Sequence, residues 1–170
     1  MDVDVSVVRG NIAERSADAL VTAAGTNLLM DTGGTGTALL AVAGEELSEE
    51  AIKKGPIEFG EVAVTDAYNL DADYVIHAAA AAFGGQATKM HIRQAVQNTL
   101  ETADDLECES IVMPAIGCGT AGFDIENGGS IIIDEIQSFN ATTLEKITVI
   151  GYTDEEYRAL RQVLDEFGDA

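Results

Sequence analysis

Short apolar runs alternate with helix-forming stretches along the whole chain, and this alternation constrains the fold more than any other feature. Residues 3–7 alternate valine with aspartate or serine, which is the period of a half-exposed edge strand. Residues 88–106 place apolar side chains at helical spacing. Further strands are predicted at residues 19–23, 61–65, 74–78, 110–116 and 147–151, and further helices at residues 38–43, 45–54, 125–139 and 154–167. Strands separated by helices predict a three-layer α/β/α sandwich around a mixed, largely parallel sheet.

The organisation of the chain predicts a single domain, residues 1–170, without a long linker, a low-complexity tract or an evident repeat. No apolar run approaches the roughly 20 residues that span a bilayer, and the first residues do not resemble a signal peptide. Cys108 and Cys118 are too few for a disulfide scaffold and suit a reducing cytoplasm. His77 and His91 stand apart without metal-ligand spacing, so neither a metal site nor a cofactor is expected.

Acidic residues far outnumber basic ones: 30 Asp and Glu against 9 Lys and Arg give a net charge of −21. Binding to a nucleic-acid duplex requires a basic stripe, and an anionic membrane would repel this chain, so neither partner is expected. Self-repulsion destabilises such a compact state until, at about 1 M salt, the Debye length falls to roughly 3 Å. We therefore expect a cytoplasmic protein from a halophilic archaeon, with an acidic mesophilic protein as the alternative.

Two glycine-rich segments, residues 33–37 and 117–123, each follow a predicted strand and precede a predicted helix. This arrangement points main-chain N–H groups at an anion, and glycine lets the backbone approach a ligand without a Cβ in the way. Loops at the carboxyl ends of parallel strands border one crevice, so the pair predicts a diphosphate ligand. The candidate residues are Gly33, Gly34, Thr35, Gly36, Gly117, Cys118, Gly119, Thr120, Ala121, Gly122 and Phe123.

None of the nine basic residues lies in either loop, so main-chain dipoles must neutralise the phosphates. The absence of a GK[ST] sequence argues against a Walker-type phosphoryl-transfer site. Residues 117–122 do read G-x-G-x-x-G, but in a Rossmann domain this loop normally follows the first strand. Only one strand–helix unit follows it here, and NAD-dependent redox chemistry stays as an alternative.

Several short motifs occur in a fixed order along most of the chain. They are GNI at residues 10–12, ALVTAAG at 19–25, the first glycine loop, GEVAVT at 60–65, VIH at 75–77, and PAIGCG at 114–119 followed by GF at 122–123. From about residue 3 to residue 167 this set resembles the macrodomain family of ADP-ribose-binding α/β/α modules. The first two motifs look like the family's Gly-Asp-Ile turn and its A-[IL]-V-N-A-A-N segment.

The resemblance implies that ADP-ribose, or an ADP-ribosylated or related metabolite, lies along the crevice. It implies that Asn11 and Ile12 contact adenine, that Tyr152 stacks on it and that the two loops wrap the diphosphate, while Ala23 and Gly25 complete the ligand-binding set. For Tyr152, packing in the core is the alternative. Asn11 stands where the family has aspartate, which predicts a changed affinity or base preference because an amide donates as well as accepts.

Departures from the family pattern bear on catalysis. Hydrolytic members commonly have asparagine where this chain has Gly25 and an acidic residue where it has Gly36. Thr22 replaces the segment's other asparagine, and Ala121 replaces an aromatic near the distal ribose. General acid–base catalysis raises a reaction rate roughly 10²- to 10⁴-fold, and it needs a side chain that can accept or donate a proton. Because glycine has no side chain, we expect binding without efficient turnover. The alternative is a hydrolase acting on ADP-ribose esters or O-acetyl-ADP-ribose, and no catalytic residue is assigned.

A separate role or state is predicted for each of five further side chains. His77 is expected to be a buried, hydrogen-bonded structural residue, and His91 to be solvated. The place of Cys118 near a helix N-terminus predicts a lowered pKa, but the sequence shows no base beside it, so a nucleophilic role is not expected. Asp124 is expected to cap the following helix, and Asp31 is the nearest carboxylate that could replace a missing base.

Overall fold

The structure, a computed structural model, describes residues 3–30, 34–81, 87–118 and 123–168. Within these ranges the strands are β1 (Asp4–Arg9), β2 (Ala19–Gly25), β3 (Val62–Asp66), β4 (Tyr74–Ala81), β5 (Ser110–Pro114) and β6 (Lys146–Gly151). They form one sheet in the order β1-β6-β5-β2-β4-β3. The valine-alternating segment is therefore an edge strand, as its pattern predicted.

The sheet is mixed and largely parallel, which confirms the prediction. β1 pairs in parallel with β6, β6 with β5, β5 with β2 and β2 with β4. Only β3, at the far edge of the described sheet, runs antiparallel to its neighbour. The carboxyl ends of the five parallel strands therefore meet at one edge, where sheets of this type bind ligands.

Helices of the described ranges cover both faces of the sheet. They are α1 (Gly34–Ala43), α2 (Glu45–Lys54), α3 (Lys89–Asp105), α4 (Ile125–Ser138) and α5 (Asp154–Gly168). The core on one face contains Leu39 of α1 and Leu47 of α2. The core on the other face contains Ile92, Ile132 and Leu160, from α3, α4 and α5 respectively. Two helical layers around one sheet confirm the α/β/α sandwich.

The middle of the sheet is buried on both sides, and β2 shows this most clearly. Ala19 and Val21 belong to the core under α3, α4 and α5, whereas Leu20 belongs to the core under α1 and α2. All three side chains are fully buried. Packing from both faces holds this strand in place and so fixes the residues at its carboxyl end, from which the candidate site is built.

The helix α4 forms although its Ile131, Ile132 and Ile133 are consecutive β-branched residues with low intrinsic helix propensity. All three are buried, so packing outweighs propensity. Two glycines let α5 and the second glycine loop pack closely against this helix. A Cβ on Gly129 would lie 3.2 Å from Leu160 Cδ2 of α5, and a Cβ on Gly128 would overlap the side chain of Cys118.

One carboxylate fixes the loop that leads into β6. Asp104 accepts hydrogen bonds from the main-chain N–H groups of Thr142, Thr143 and Leu144, with shortest distances of 3.0, 2.7 and 2.8 Å. Burial opposes the ionised form of Asp104, but these hydrogen bonds outweigh it and lower its pKa. The clamp determines where β6 begins, and so supports the register that carries Tyr152 to the carboxyl edge of the sheet.

Candidate functional site

The described candidate residues gather at the carboxyl edge of the sheet. Asn11 and Ile12 follow β1, Tyr152 follows β6, and Gly117 follows β5. Gly25 ends β2. The candidates Gly33, Gly119, Thr120, Ala121 and Gly122, together with the carboxylate Asp31, lie outside the described residues.

At the β1 end, Asn11 caps a short 3₁₀ turn formed by Ile12–Glu14. Its Oδ1 accepts the main-chain N–H of Ala13 at 2.9 Å, so one lone pair of the carboxamide is already used. Ile12 as a whole residue is only 3% exposed, and its side chain belongs to the core under α1 and α2. Ile12 can therefore meet a ligand only through its main chain, whereas the half-buried Asn11 can present its Nδ2.

Tyr152 stands out as a large aromatic side chain that is 70% exposed, and this excludes core packing as its role. The ends of β1 and β6 are joined beside it, because the N–H of Gly10 donates to Gly151 O at 3.0 Å. Thr153 then begins α5 with a reciprocal cap: Glu156 N donates to Thr153 Oγ1 at 3.1 Å, and Thr153 N donates to Glu156 Oε1 at 3.3 Å. The aromatic ring thus projects from a fixed backbone on the strand adjacent to Asn11.

In the first glycine loop, Thr35 turns its hydroxyl toward the sheet. Thr35 Oγ1 accepts the N–H of Ala23 at 3.2 Å and lies 3.0 Å from Thr22 Oγ1. The N–H of Ala23 and the hydroxyl of Thr35 therefore already have hydrogen-bond partners within the protein. The start of α1 is fastened to the end of β2.

The start of α1 still presents main-chain donors. The first N–H groups of an α-helix have no acceptor within the helix, and here they belong to Gly34, Thr35 and Gly36. Gly34 has a φ of +67°, and a Cβ added to it would meet no atom of the described residues within 4 Å. An anion can therefore approach this helix end closely, where the helix dipole favours negative charge.

The second glycine loop is closed by its own hydrogen bonds. Cys118 N donates to Ala115 O at 3.0 Å, and Phe123 N donates to Gly117 O at 3.0 Å. Gly117 has a φ of +84°, and a Cβ there would lie 2.7 Å from Ile92 Cγ1, so only glycine fits. The N–H groups of Cys118 and Phe123 consequently shape the loop and are not free to bind a phosphate. Main-chain donors for the diphosphate are therefore expected only from Gly117 and from the residues between Cys118 and Phe123.

Cys118 is not an activated thiol, so the prediction of a lowered pKa is wrong. Its Sγ occupies the space left by the missing side chain of Gly128, where a Cβ would lie only 2.2 Å away. Burial raises the pKa of the thiol to about 12, and the charges of Asp124 and Glu156 add to the shift. The side chain serves as packing beneath α4. Asp124 caps that helix as predicted, accepting the N–H of Asn127 at 3.2 Å.

His77 is a structural residue, as predicted. It is fully buried on β4, and its Nε2 lies 3.0 Å from Thr65 Oγ1. Its Nδ1 has no hydrogen-bond partner among the described residues. Burial, with a smaller contribution from the charge of Lys54, lowers its pKa to about 4, although Glu50 acts in the opposite direction.

This buried imidazole predicts a measurable acid sensitivity. The pKa of His77 is lower in the folded chain than the usual 6.5, so its contribution to stability is complete above pH 6.5 and declines as pH falls toward 4. At about 1.4 kcal/mol per pH unit, the loss reaches about 3 kcal/mol. Urea unfolding of the wild type and of His77→Gln between these pH values should show this difference. Parallel pH profiles would contradict it.

The expectation of a solvated His91 is wrong. Its ring stacks on Phe59 with ring centroids 4.3 Å apart and an angle of 5° between the planes. The Nδ1 of His91 is buried without a hydrogen-bond partner in the described part of the chain. The two residues lie 32 positions apart in the sequence, so local spacing gives no sign of the contact.

Gly25 supplies no functional group to the crevice. The pairing of β2 with β4 shifts register between Ala24 and Gly25, and the Gly25 carbonyl accepts the N–H of Leu28 at 3.1 Å. Gly36 is buried against Met30 and Thr22 and also lacks a side chain. Among the described residues, no group of three His, Cys, Asp or Glu side chains could hold a metal ion. No described helix combines the length and the apolar character needed to cross a membrane.

Relatives of this chain share almost its whole length. The model of the macro domain family matches residues 21–132. An uncharacterised protein of Saccharolobus solfataricus is 34% identical over 167 residues, which is 96% of this chain and 93% of that protein. An uncharacterised protein of Aquifex aeolicus is 34% identical over 164 residues, covering 95% and 98% of the two chains. Relatives thus occur in both archaea and bacteria and give no support to the expected halophilic archaeal source.

Solved structures have the same architecture. The Trypanosoma brucei macrodomain in complex with ADP-ribose aligns with a TM-score of 0.86 and 24% identity, over 94% of this chain and 68% of that one. The Oceanobacillus iheyensis macrodomain with ADP aligns with a TM-score of 0.84 and 22% identity, over 96% and 90%. At these identities the likeness establishes the fold.

Proposed function

Because this chain belongs to the macro domain family, we propose that it binds ADP-ribose or a closely related ADP-ribosylated ligand. The observation that carries the proposal is the open start of α1 at Gly34 on the same sheet edge as the exposed ring of Tyr152. A helix end that accepts an anion and an aromatic that accepts a base suit the two parts of an adenine nucleotide diphosphate. Macrodomains of this fold have been solved with ADP-ribose and with ADP, which supports the ligand class.

The adenine is proposed to lie between the ends of β1 and β6. Tyr152 offers a π-face, and stacking of a base on such a ring contributes about 1–3 kcal/mol. Asn11 offers its Nδ2 as a donor, and Ile12 offers only main-chain atoms since its side chain is buried. The family has aspartate at the position of Asn11, and aspartate can only accept a hydrogen bond from the adenine amino group. Because Asn11 presents a donor there, we expect it to distinguish adenine from other bases less well.

The diphosphate is proposed to lie between the two glycine loops, held by main-chain N–H groups. Gly33, Gly34, Thr35 and Gly36 would provide donors on one side. Gly117, Gly119, Thr120, Ala121 and Gly122 would provide them on the other. Neither loop contains a basic residue, so helix and amide dipoles rather than cations would neutralise the phosphates.

The site is proposed to bind its ligand without efficient turnover. Gly25 and Gly36 give no side chain that could orient a water molecule or act as a general base. Cys118, with its raised pKa and its place under α4, is no substitute nucleophile. The alternative, hydrolysis of ADP-ribose esters or O-acetyl-ADP-ribose, predicts that purified protein releases product at a rate well above the uncatalysed one.

Isothermal titration calorimetry in about 1 M KCl tests the proposal, because the protein's own charge is then screened. ADP-ribose is expected to bind with measurable heat, and NADH is the comparison that tests the redox alternative. Absence of binding by millimolar ADP-ribose would overturn the function. Tighter binding of NADH, with hydride transfer to an acceptor, would favour the alternative.

Replacing Tyr152 with alanine is expected to weaken ADP-ribose binding by roughly 5- to 150-fold, which is the loss of one base-stacking contact. The thermal unfolding midpoint should hardly change, because the side chain is 70% exposed. Calorimetry of Tyr152→Ala and Tyr152→Phe measures the effect, and phenylalanine should retain affinity since stacking needs only the ring. Equal affinities for the alanine variant and the wild type would exclude this role.

The surroundings in which the chain works form a further part of the proposal. The net charge of −21 favours a cytoplasm with molar salt and disfavours contact with nucleic-acid duplexes or anionic membranes. The two free cysteines suit a reducing compartment. The chain is proposed to act as one domain, residues 1–170, on a ligand that arrives free or attached to another molecule.

A further inference from the structure

Three residues where β2 meets α1, namely Thr22, Ala23 and Thr35, form a ring of hydrogen bonds that begins and ends at Ala23. The N–H of Ala23 donates to Thr35 Oγ1 at 3.2 Å. The two hydroxyl oxygens of Thr35 and Thr22 lie 3.0 Å apart. Thr22 Oγ1 lies 3.4 Å from Ala23 O in donor geometry. The ring connects the carboxyl end of a central strand to the first turn of α1.

The direction of each hydrogen bond follows from the inventory of donors. Each threonine hydroxyl has a single hydrogen, and the carbonyl of Ala23 can only accept. If Thr22 donates to that carbonyl, its oxygen must accept from Thr35, and Thr35 in turn accepts from Ala23 N. Each hydroxyl then donates once and accepts once, so removing either hydroxyl leaves the other with one bond fewer.

The two threonines differ in what they could touch. Thr22 is 1% exposed and lies beneath the helix, 3.6 Å from the position that a Cβ on Gly36 would take. Its side chain cannot reach a ligand in the crevice. Thr35 is half-buried, and its main-chain N–H belongs to the open turn described above. Any effect of Thr22 on ligand binding must therefore act through the position of that turn.

We propose that Thr22 and Thr35 are positioning residues that hold the first turn of α1 in the orientation that receives the diphosphate. This inference rests on the proposed function. The turn contains Gly34 and Gly36, and glycines lose the most conformational freedom when they are ordered. The hydrogen bonds of the ring fasten this turn to the end of β2. Fixing the turn in advance reduces the entropy lost when the anion binds.

The hydroxyl ring should affect binding of the diphosphate but not binding of the adenine. The ring orders donors for phosphate, whereas the proposed adenine contacts Asn11 and Tyr152 follow β1 and β6, which are three and two strands away from β2 respectively. Loss of the ring should therefore weaken ADP-ribose binding and leave adenosine binding unchanged. A merely structural role would lower thermal stability and affect both ligands alike.

The test compares Thr22→Val, Thr35→Val and their double variant by calorimetry with ADP-ribose and by NMR titration with adenosine. Each single variant should bind ADP-ribose about 10-fold more weakly, as expected for the loss of one or two hydrogen bonds. The double variant should be no weaker than either single one, because both changes break the same ring. Thr35→Ser keeps the hydroxyl and should bind as the wild type does.

Thr99→Val serves as the matched control, since Thr99 is a fully buried threonine on α3 whose hydroxyl bonds Ala95 O within the helix. It should leave affinity for both ligands unchanged. If Thr22→Val does not fold, Thr35→Val can still be compared with Thr35→Ser, because Thr35 is only half-buried. If the wild type binds ADP-ribose and Thr35→Val binds it within two-fold as tightly, the positioning role is refuted and the proposed function stands. If the wild type does not bind, the proposed function itself fails.

Discussion

A Gly34→Glu variant is expected to bind ADP-ribose at least about 100-fold more weakly than the wild type. Gly34 opens α1 with a φ of +67°, a conformation that costs an L-residue about 1–2 kcal/mol. No atom of the described part of the chain lies within 4 Å of a Cβ at this position, so a new carboxylate would extend into the region where the phosphates are proposed to lie. Like charges in contact cost several kcal/mol, and at contact distance even molar salt screens them only in part.

Two further variants separate the causes of this effect. Gly34→Ala adds the backbone strain without the charge and should weaken binding by at most about 30-fold, because only strain relieved in the free protein lowers affinity. Val42→Glu adds the same charge to an exposed position near the other end of α1 and should bind ADP-ribose as the wild type does. Similar affinities for Gly34→Glu and Val42→Glu would show that the phosphates do not meet the start of this helix.

The secondary structure was predictable because it depends on local periodicity. The bounds of α2 agree with the prediction at both ends, and its polar sequence closes at Gly55. Ends that depend on a turn were less predictable. β5 stops at Pro114 rather than at residue 116, because Ile116 N donates to Pro114 O and the chain already turns.

The helix α1 shows why the start of an element can be missed. It begins at Gly34, four residues before the predicted start at residue 38. Glycine has low helix propensity, so Gly34 and Gly36 were interpreted as loop. Their place in the first turn depends on the hydrogen bonds of Thr35 with Ala23 and Thr22 at the end of β2. These residues are separated by 12 and 13 positions in the sequence, so local spacing does not show the contact.

The place of the described candidate residues in the fold was predictable, but their chemical detail was not. Asn11, Tyr152, Gly34 and Gly117 lie at the carboxyl edge, where the order of motifs predicted them, because parallel strands share that edge. The state of Cys118 was not predictable, since it depends on a vacancy at Gly128 on the following helix. The stack of His91 on Phe59 likewise joins α3 to the segment before β3. Such contacts between elements leave no local pattern in a sequence.

Stability is expected to rise steeply with salt, by several kcal/mol between low salt and about 2 M KCl. Ion pairs of the described residues use five of the nine basic side chains, namely Arg9, Lys54, Arg93, Arg158 and Arg161. With 30 carboxylates against nine basic residues, most of the negative charge has no opposite charge to offset it. If each of 21 excess charges loses roughly 0.2 kcal/mol of repulsion on screening, the total is about 4 kcal/mol. Chemical unfolding by urea at a series of KCl concentrations measures this change.

A charge-reduced variant distinguishes screening from the general strengthening of apolar burial by salt. Glu49, Glu101 and Glu145 are exposed and take part in no ion pair of the described chain. Changing all three to lysine shifts the net charge by +6, from −21 to −15. This variant should be more stable than the wild type in low salt and should gain less from added KCl. If both proteins respond equally to KCl, repulsion is not the cause, and the high acidity would have to act through something other than folding.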